Sequence, residues 1–206
     1  MEPEDRSERA ILFGPIYSDS PVRNDSILDE LGRLVEAAGG IPVGRITQSL
    51  HKPTPATFFG SGKIEALQQL VLETEADVAV FDEELTPAQG RNLERILCIR
   101  VIDRSELILD IFAGRAQTRD GQVQVELAQL KYRLPRLAQR SDVSLSRLAG
   151  GIGGRGPGET KLEVDRRRVR DRVTHLERET KKLAQQREQR RRKRNRRGVP
   201  VLSIVG

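Results

Sequence analysis

The sequence predicts an α/β fold: a small parallel four-stranded sheet with flanking helices, followed by a long antiparallel α-helical hairpin of coiled-coil type. Three observations carry that expectation. Short apolar runs alternate with helical patterns up to about residue 104, two leucine-rich seams follow, and a glycine-rich stretch separates the seams. Strands that alternate with helices form a parallel sheet covered on both faces.

The elements follow in order. Ala10–Tyr17 is an apolar run of strand length. Asn24, Asp25 and Ser26 offer caps to a helix in which Ile27, Leu28, Leu31, Leu34, Val35 and Ala38 recur at helical spacing, and Gly39-Gly40 stops it. Ile41–Thr47 reads as the second strand, Ile64–Glu75 as the second helix, and Asp77–Asp82 as a fully buried third strand. Thr86 caps the next helix with Pro87 at its first position, where a missing amide costs nothing. Ile99–Asp103 is the fourth strand. A short helix containing Leu107, Ile108, Ile111 and Phe112 leads to a break at Asp120-Gly121. The first seam is Val123, Leu127, Leu130, Leu134 and Leu137, with Pro135 inside it as a kink. The second is Leu162, Arg166, Val169, Val173, Leu176, Thr180 and Leu183. Three regions result: an α/β unit over 1–104, the hairpin over 105–197 with its tip at 150–159, and a final linker and strand over 198–206.

Composition narrows the chemistry. The 206 residues hold one cysteine, Cys98, and two distant histidines, His51 and His175, which excludes a disulfide framework and a cysteine/histidine metal site. No apolar run reaches the roughly 18 residues of a membrane span, and the acidic start is unlike a signal peptide, so the expectation is a soluble cytoplasmic protein with no membrane partner. The overall net charge of +6 conceals a segregation. Residues 1–104 carry 11 basic and 18 acidic side chains, net −7, whereas residues 105–206 carry 25 and 12, net +13. A basic second half suits a polyanion.

Gly150, Gly151, Gly153, Gly154, Gly156 and Gly158 crowd one short stretch around Arg155, leaving a lone cation between bare backbone. Glycine at this density suits positive φ or close approach of another surface, and a lone cation there suits phosphates or bases in a narrow space; a plain hinge joining two helices is the alternative. Arg166, Arg167, Arg168, Arg170 and Arg172 follow within seven residues, so some must line the hairpin while others face outward, either as hydrogen-bond donors to phosphates or, with Arg166 paired locally to Glu163 or Asp165, as solvated side chains. Residues 187–197 hold eight cations and one anion, so the rest of the chain sums to −1. That run is either an RNA contact or a solvated helix end.

Phe58–Lys63 (FFGSGK) falls short of a phosphate loop, because the first glycine and the hydroxyl after Lys63 are both missing. Gly62 and Lys63 remain candidate nucleotide contacts at a helix N-terminus, against the simpler reading of a tight turn. Asp82 resembles a metal-holding aspartate only weakly. No nucleophile-base set of the serine or cysteine kind is available, and no catalytic or metal-ligating residue is assigned.

FFGSGK, LTPAQGRNLER (85–95), the run from Arg100 to Leu137 and GGIGGRGPGETKLEVDRRRVRDRV (150–173) together resemble the HflX-type GTPases that act on ribosomes. The resemblance implies an N-terminal α/β subdomain, a helical hairpin, and a GTPase domain whose first strand is VLSIVG, with Gly206 opening its phosphate loop. It implies GTP and Mg2+ for the full-length protein and no cofactor or GTP hydrolysis for these 206 residues alone. It also implies binding to the large (50S) ribosomal subunit, with the glycine-rich tip reaching ribosomal RNA near the peptidyl transferase centre, and splitting of stalled ribosomes. Two alternatives stand beside it: an ATP-binding or ATPase module using FFGSGK, with Lys63 and Asp82, and a coiled-coil protein-interaction domain. An internal hairpin predicts a monomer.

Overall fold

The computed structural model describes residues 7–17, 28–139 and 161–196. The elements are β1 (Arg9–Tyr17), α1 (Asp29–Ala37), β2 (Ile41–Leu50), α2 (Ser61–Thr74), β3 (Val78–Phe81), α3 (Pro87–Leu97), β4 (Arg100–Asp103), α4 (Arg104–Arg115), α5 (Arg119–Gln139) and α6 (Lys161–Arg196). The four strands form one sheet in the order β2-β1-β3-β4, every pair parallel.

Alternation along the strands builds two apolar layers. Ile11, Phe13, Ala79, Phe81 and Val101 point to one face and pack with Ile64, Leu67 and Val71 of α2 and Leu93 and Leu97 of α3. Ala10, Leu12, Val78, Val80 and Ile102 point to the other, against Leu31 and Val35 of α1 and Leu107 of α4. All four residues of β3 are therefore buried, as a strand covered on both faces requires. Pro15 is tolerated in β1 because the pairing with β3 stops at Phe13, leaving only β2 alongside.

The helix boundaries follow local chemistry. Gly39, at φ 89°, ends α1 in the left-handed region where glycine is strain-free. The caps expected at Asn24, Asp25 and Ser26 lie outside the described residues; Leu28 is the residue ahead of α1 and makes no side-chain cap. α2 begins at Ser61, three residues earlier than expected, because Gly60 already accepts from the amides of Lys63 and Ile64. At α3, Thr86 Oγ1 accepts from the Gln89 amide at 3.3 Å and Gln89 Oε1 accepts from the Thr86 amide at 3.0 Å, a reciprocal capping box. Replacing Thr86 by Ala is expected to cost about 1 kcal/mol of stability, measurable by urea unfolding.

One expectation needs correction. The break placed at Asp120-Gly121 lies at 116–118 instead. Thr118 Oγ1 accepts from the Gly121 amide at 3.1 Å, so Thr118 starts the helix and both residues fall in its first turn. Glycine is cheap there and the aspartate complements the dipole. α4, which follows the boundary expected at Ser105, packs both on the sheet unit and on α5. A sheet covered on both faces needs a helix after β4, and buried Leu107 supplies that cover.

The longest elements meet across four ion pairs: Arg119–Glu179 at 2.7 Å, Asp120–Arg187 at 3.4 Å, Glu126–Arg172 at 2.6 Å and Lys131–Glu177 at 2.7 Å. The start of α5 meets the later part of α6, so the two helices run antiparallel. Val123 and Leu176 are buried. Pro135 sits inside α5, which continues to Gln139. The connection through 140–160, and with it the expected hairpin turn, lies outside the described residues.

Candidate nucleic-acid interface

Helix α6 has 36 residues, about 54 Å at 1.5 Å per residue, with strongly basic composition. A helix this polar is held by its neighbour rather than by its own apolar stripe. Arg172 clasps Glu126 with two hydrogen bonds of 2.6 and 2.7 Å, a forked geometry that aligns both side chains. That bond holds the Glu126 carboxyl below the usual carboxylate range. A depressed folded-state value stabilises above the unfolded pKa, near 4.3, and the contribution is lost as pH falls through the folded value. The α5–α6 pairing should therefore loosen in acid, and Glu126→Gln should remove that part of the pH dependence, read by helical circular dichroism between about pH 5 and 2.

The arginines singled out in the sequence separate as their helical spacing requires. Arg166 is half-buried; Arg167 and Arg168 are exposed, and the side chain of Arg168, at 76% exposure, lies 3.8 Å from Asp165. Exposed Arg170, Arg178, Lys181 and Lys182 continue the solvent-facing side. Successive residues turn by 100°, which places Arg167 and Arg178 within about 20° of one another on the wheel. The outward face of α6 is thus rich in cations along much of its length, with Asp171 and Thr174 interspersed. Gly150, Gly151, Gly153, Gly154, Arg155, Gly156, Gly158 and Gly206 lie outside the described residues.

Gly62 and Lys63 stand in the first turn of α2. The aromatic half of FFGSGK belongs to the core. Phe59 stacks on Phe13 at a centroid distance of 3.8 Å, and Phe58, at φ 68°, turns the chain so that both rings are buried. Thr54 and Thr57 hydroxyls donate to the Phe59 carbonyl at 3.0 and 2.7 Å, while Gln89 and Asn92 of α3 donate to the Thr54 and Ala56 carbonyls. Asp82, at the carboxyl end of β3, accepts from Arg104 at 3.0 Å, and Arg104 also binds Glu30. Burial raises the Asp82 pKa, against the opposing pull of Arg104. A methyl on Gly14 would come 2.8 Å from Leu28 Cδ2 and 3.2 Å from Asp82 Cβ, so this end of β1 is closely packed. Among the described residues no group of three or more His, Cys, Asp or Glu side chains is placed to hold a metal ion, and no helix is long and apolar enough to cross a membrane.

Sequence reasoning missed the joint between the sheet and α5. Asp103, fully buried at the end of β4, accepts from the Leu85 amide at 3.1 Å, from the Glu106 amide at 3.0 Å, from Arg136 Nη2 at 2.5 Å and from the Tyr132 hydroxyl. Arg136 also donates to Glu106 at 2.7 Å and sits 4.2 Å from the centre of the Tyr132 ring. Burial, then the hydrogen bond to Asp103, drive the Tyr132 pKa far above that of a free phenol. Burial opposes the charge of Arg136, yet the attraction of Asp103 outweighs it and raises the pKa. Arg133 adds bonds to Glu106 at 3.1 Å and Asp110 at 3.2 Å. The available signal was D-x-x-E from Asp103 to Glu106, a helix-start pattern at a strand end, with Tyr132 and Arg136 one turn apart on α5.

Models of known families match two adjoining stretches: the "GTP-binding GTPase N-terminal" family over residues 25–113 and the "GTP-binding GTPase Middle Region" family over residues 115–194. GTPase HflX of Lacrimispora saccharolytica is 47% identical over 206 residues, covering 100% of this chain and 48% of the relative. The chain belongs to the HflX GTPase family. GTPase HflX of Escherichia coli strain K12 is 45% identical over 202 residues, covering 98% of the chain and 47% of that protein. A GTP-binding protein from Sulfolobus solfataricus, solved in complex with GDP, shares the fold with a TM-score of 0.56 at 21% identity, over 86% of this chain and 46% of that one. The chain thus spans about half the length of the curated HflX relatives it matches and carries their N-terminal and middle regions.

Proposed function

We propose that this chain is the ribosome-binding part of an HflX-type GTPase, and that it engages ribosomal RNA of the large (50S) subunit. In this reading α5 and α6 are the arms of a hairpin of coiled-coil type. Its glycine-rich tip, Gly150 to Gly158 around Arg155, enters an RNA cavity near the peptidyl transferase centre, and Arg166, Arg167 and Arg168 grip phosphates at its base. The acidic α/β unit is the scaffold, and binding serves to split or rescue stalled ribosomes. The protein works as a cytoplasmic monomer. GTP and Mg2+ belong to a domain following VLSIVG, with Gly206 opening its phosphate loop.

The observation that carries the reading is the segregation of charge onto the outward face of α6, where Arg167, Arg168, Arg170 and Arg178 are exposed beside an acidic scaffold. Cations in such a row meet phosphates spaced along a backbone and release their counterions. Co-sedimentation with purified large subunits tests this. Replacing Arg155, Arg166, Arg167 and Arg168 together by Ala should weaken binding by at least about tenfold at roughly 0.1 M salt. Unchanged binding overturns the assignment of those residues.

A further inference from the structure

The end of α6 is built differently from the rest of the helix. Arg187 pairs with Asp120 in the first turn of α5, so α6 from Glu188 to Arg196 runs on past the start of its neighbour, by about 13 Å. Every residue of that extension is exposed. It holds Arg190, Arg191, Arg192, Lys193, Arg194 and Arg196 against a single anion, Glu188, which Arg192 engages at 3.0 Å. At 100° per residue, Arg190 to Lys193 alone encircle the helix. Arg190 and Arg194, and likewise Arg192 and Arg196, are like charges four residues apart, a spacing that destabilises an isolated helix. Negative charge beside such a segment relieves this repulsion.

We infer that α6 beyond Arg187 is a second phosphate-binding site, seated between the backbones of double-helical RNA. This rests on the ribosomal reading for its biological setting but not for its chemistry. Cations on every side call for phosphates on more than one side, which a duplex groove or the space between two packed duplexes supplies and a flat surface does not. The extension carries no apolar side chain, so it has nothing to insert into a membrane. It carries no aromatic ring, so it cannot stack on unpaired bases, which favours duplex over single strand. Five of its six cations are arginines, whose forked donors suit phosphate oxygens. The site lies about 36 Å along the helix from Arg167, counted from Arg167 to Arg191, so the two grips are separate.

The test uses the 206-residue chain with a fluorescent RNA hairpin of mixed sequence, titrated across a salt series. A variant carrying Arg190→Gln, Arg191→Gln, Arg194→Gln and Arg196→Gln keeps helix-forming side chains, and far-ultraviolet circular dichroism verifies that α6 persists. Its slope of log affinity against log salt should be shallower by about 3, and its affinity at least about tenfold weaker at roughly 0.1 M salt. An unchanged slope overturns the inference. So does equal or tighter binding of the parent chain to single-stranded polyuridine, to vesicles containing phosphatidylserine, or to polyglutamate. The two proposals fail separately. If large subunits are not pelleted while the hairpin is bound with the steep slope, the ribosomal reading falls and this one stands. If the Arg155 and Arg166–Arg168 variant loses the subunits while the four-glutamine variant matches the parent in both assays, the reverse holds.

Discussion

Asp103→Ala is expected to lower the free energy of unfolding by about 3–5 kcal/mol. The carboxylate is fully buried and answers four donors from three parts of the chain: the Leu85 and Glu106 amides, Tyr132 and Arg136. Its removal takes from the Arg136 guanidinium, only 20% exposed, one of its two carboxylate partners, leaving Glu106 at 2.7 Å, and leaves the Tyr132 hydroxyl and two amides without their acceptor. Urea denaturation at neutral pH measures the loss. Removing charge from both sides, with Asp103→Asn and Arg136→Met together, should cost less than the sum of the two single changes, because each single change already loses the direct pair between them. Additive losses would mean that the two groups do not depend on one another, and that α5 is held to the sheet by something other than this joint.

Phe59→Ala should cost about 3–5 kcal/mol by the same measurement, whereas Lys63→Ala, four residues on, should fall within about 0.5 kcal/mol of the parent. Phe59 is 1% exposed and lies against three rings: Phe13 at 3.8 Å, Phe58 at 4.9 Å and Phe81 at 5.8 Å between centroids. Those contacts are most of the aromatic content of the chain. The contrast tests the view that the first half of FFGSGK is core and that only its second half is free for other work. Comparable losses at both positions would show that Lys63 has a structural role that its place in the first turn of α2 does not suggest.

Much of the α/β unit was legible because its signals are local. β1 and β3 are apolar runs of strand length, Gly39 stops α1, and Thr86-Pro87 opens α3 with the expected cap. The starts of α2 and α5 were misjudged because glycines at 60, 62 and 121 read as breakers, yet near an N-terminus they are tolerated and the caps at Gly60 and Thr118 decide the boundary. The place of α4 could not be read from its own sequence, since Leu107 finds its partners on the far face of a sheet whose strand order is long-range information. The Asp103 joint was hidden for a similar reason. Its members are separated by up to 51 positions, from Leu85 to Arg136, and no spacing rule links them. Of the candidate interface, the sequence revealed which residues are cations; only the antiparallel pairing of α5 with α6 shows that Arg172 and Arg187 reach across to α5 while Arg178 and the final turns of α6 are exposed.

The central claim is that RNA is met by α6 and the segment leading into it rather than by the sheet. Ultraviolet crosslinking of the chain to large ribosomal subunits, followed by protease digestion and mass spectrometry of the RNA-bound peptides, measures it directly. Crosslinks confined to peptides from 150–197 are the predicted result. Crosslinks concentrated in the acidic strands and helices of residues 9–103, with none in α6, would contradict it.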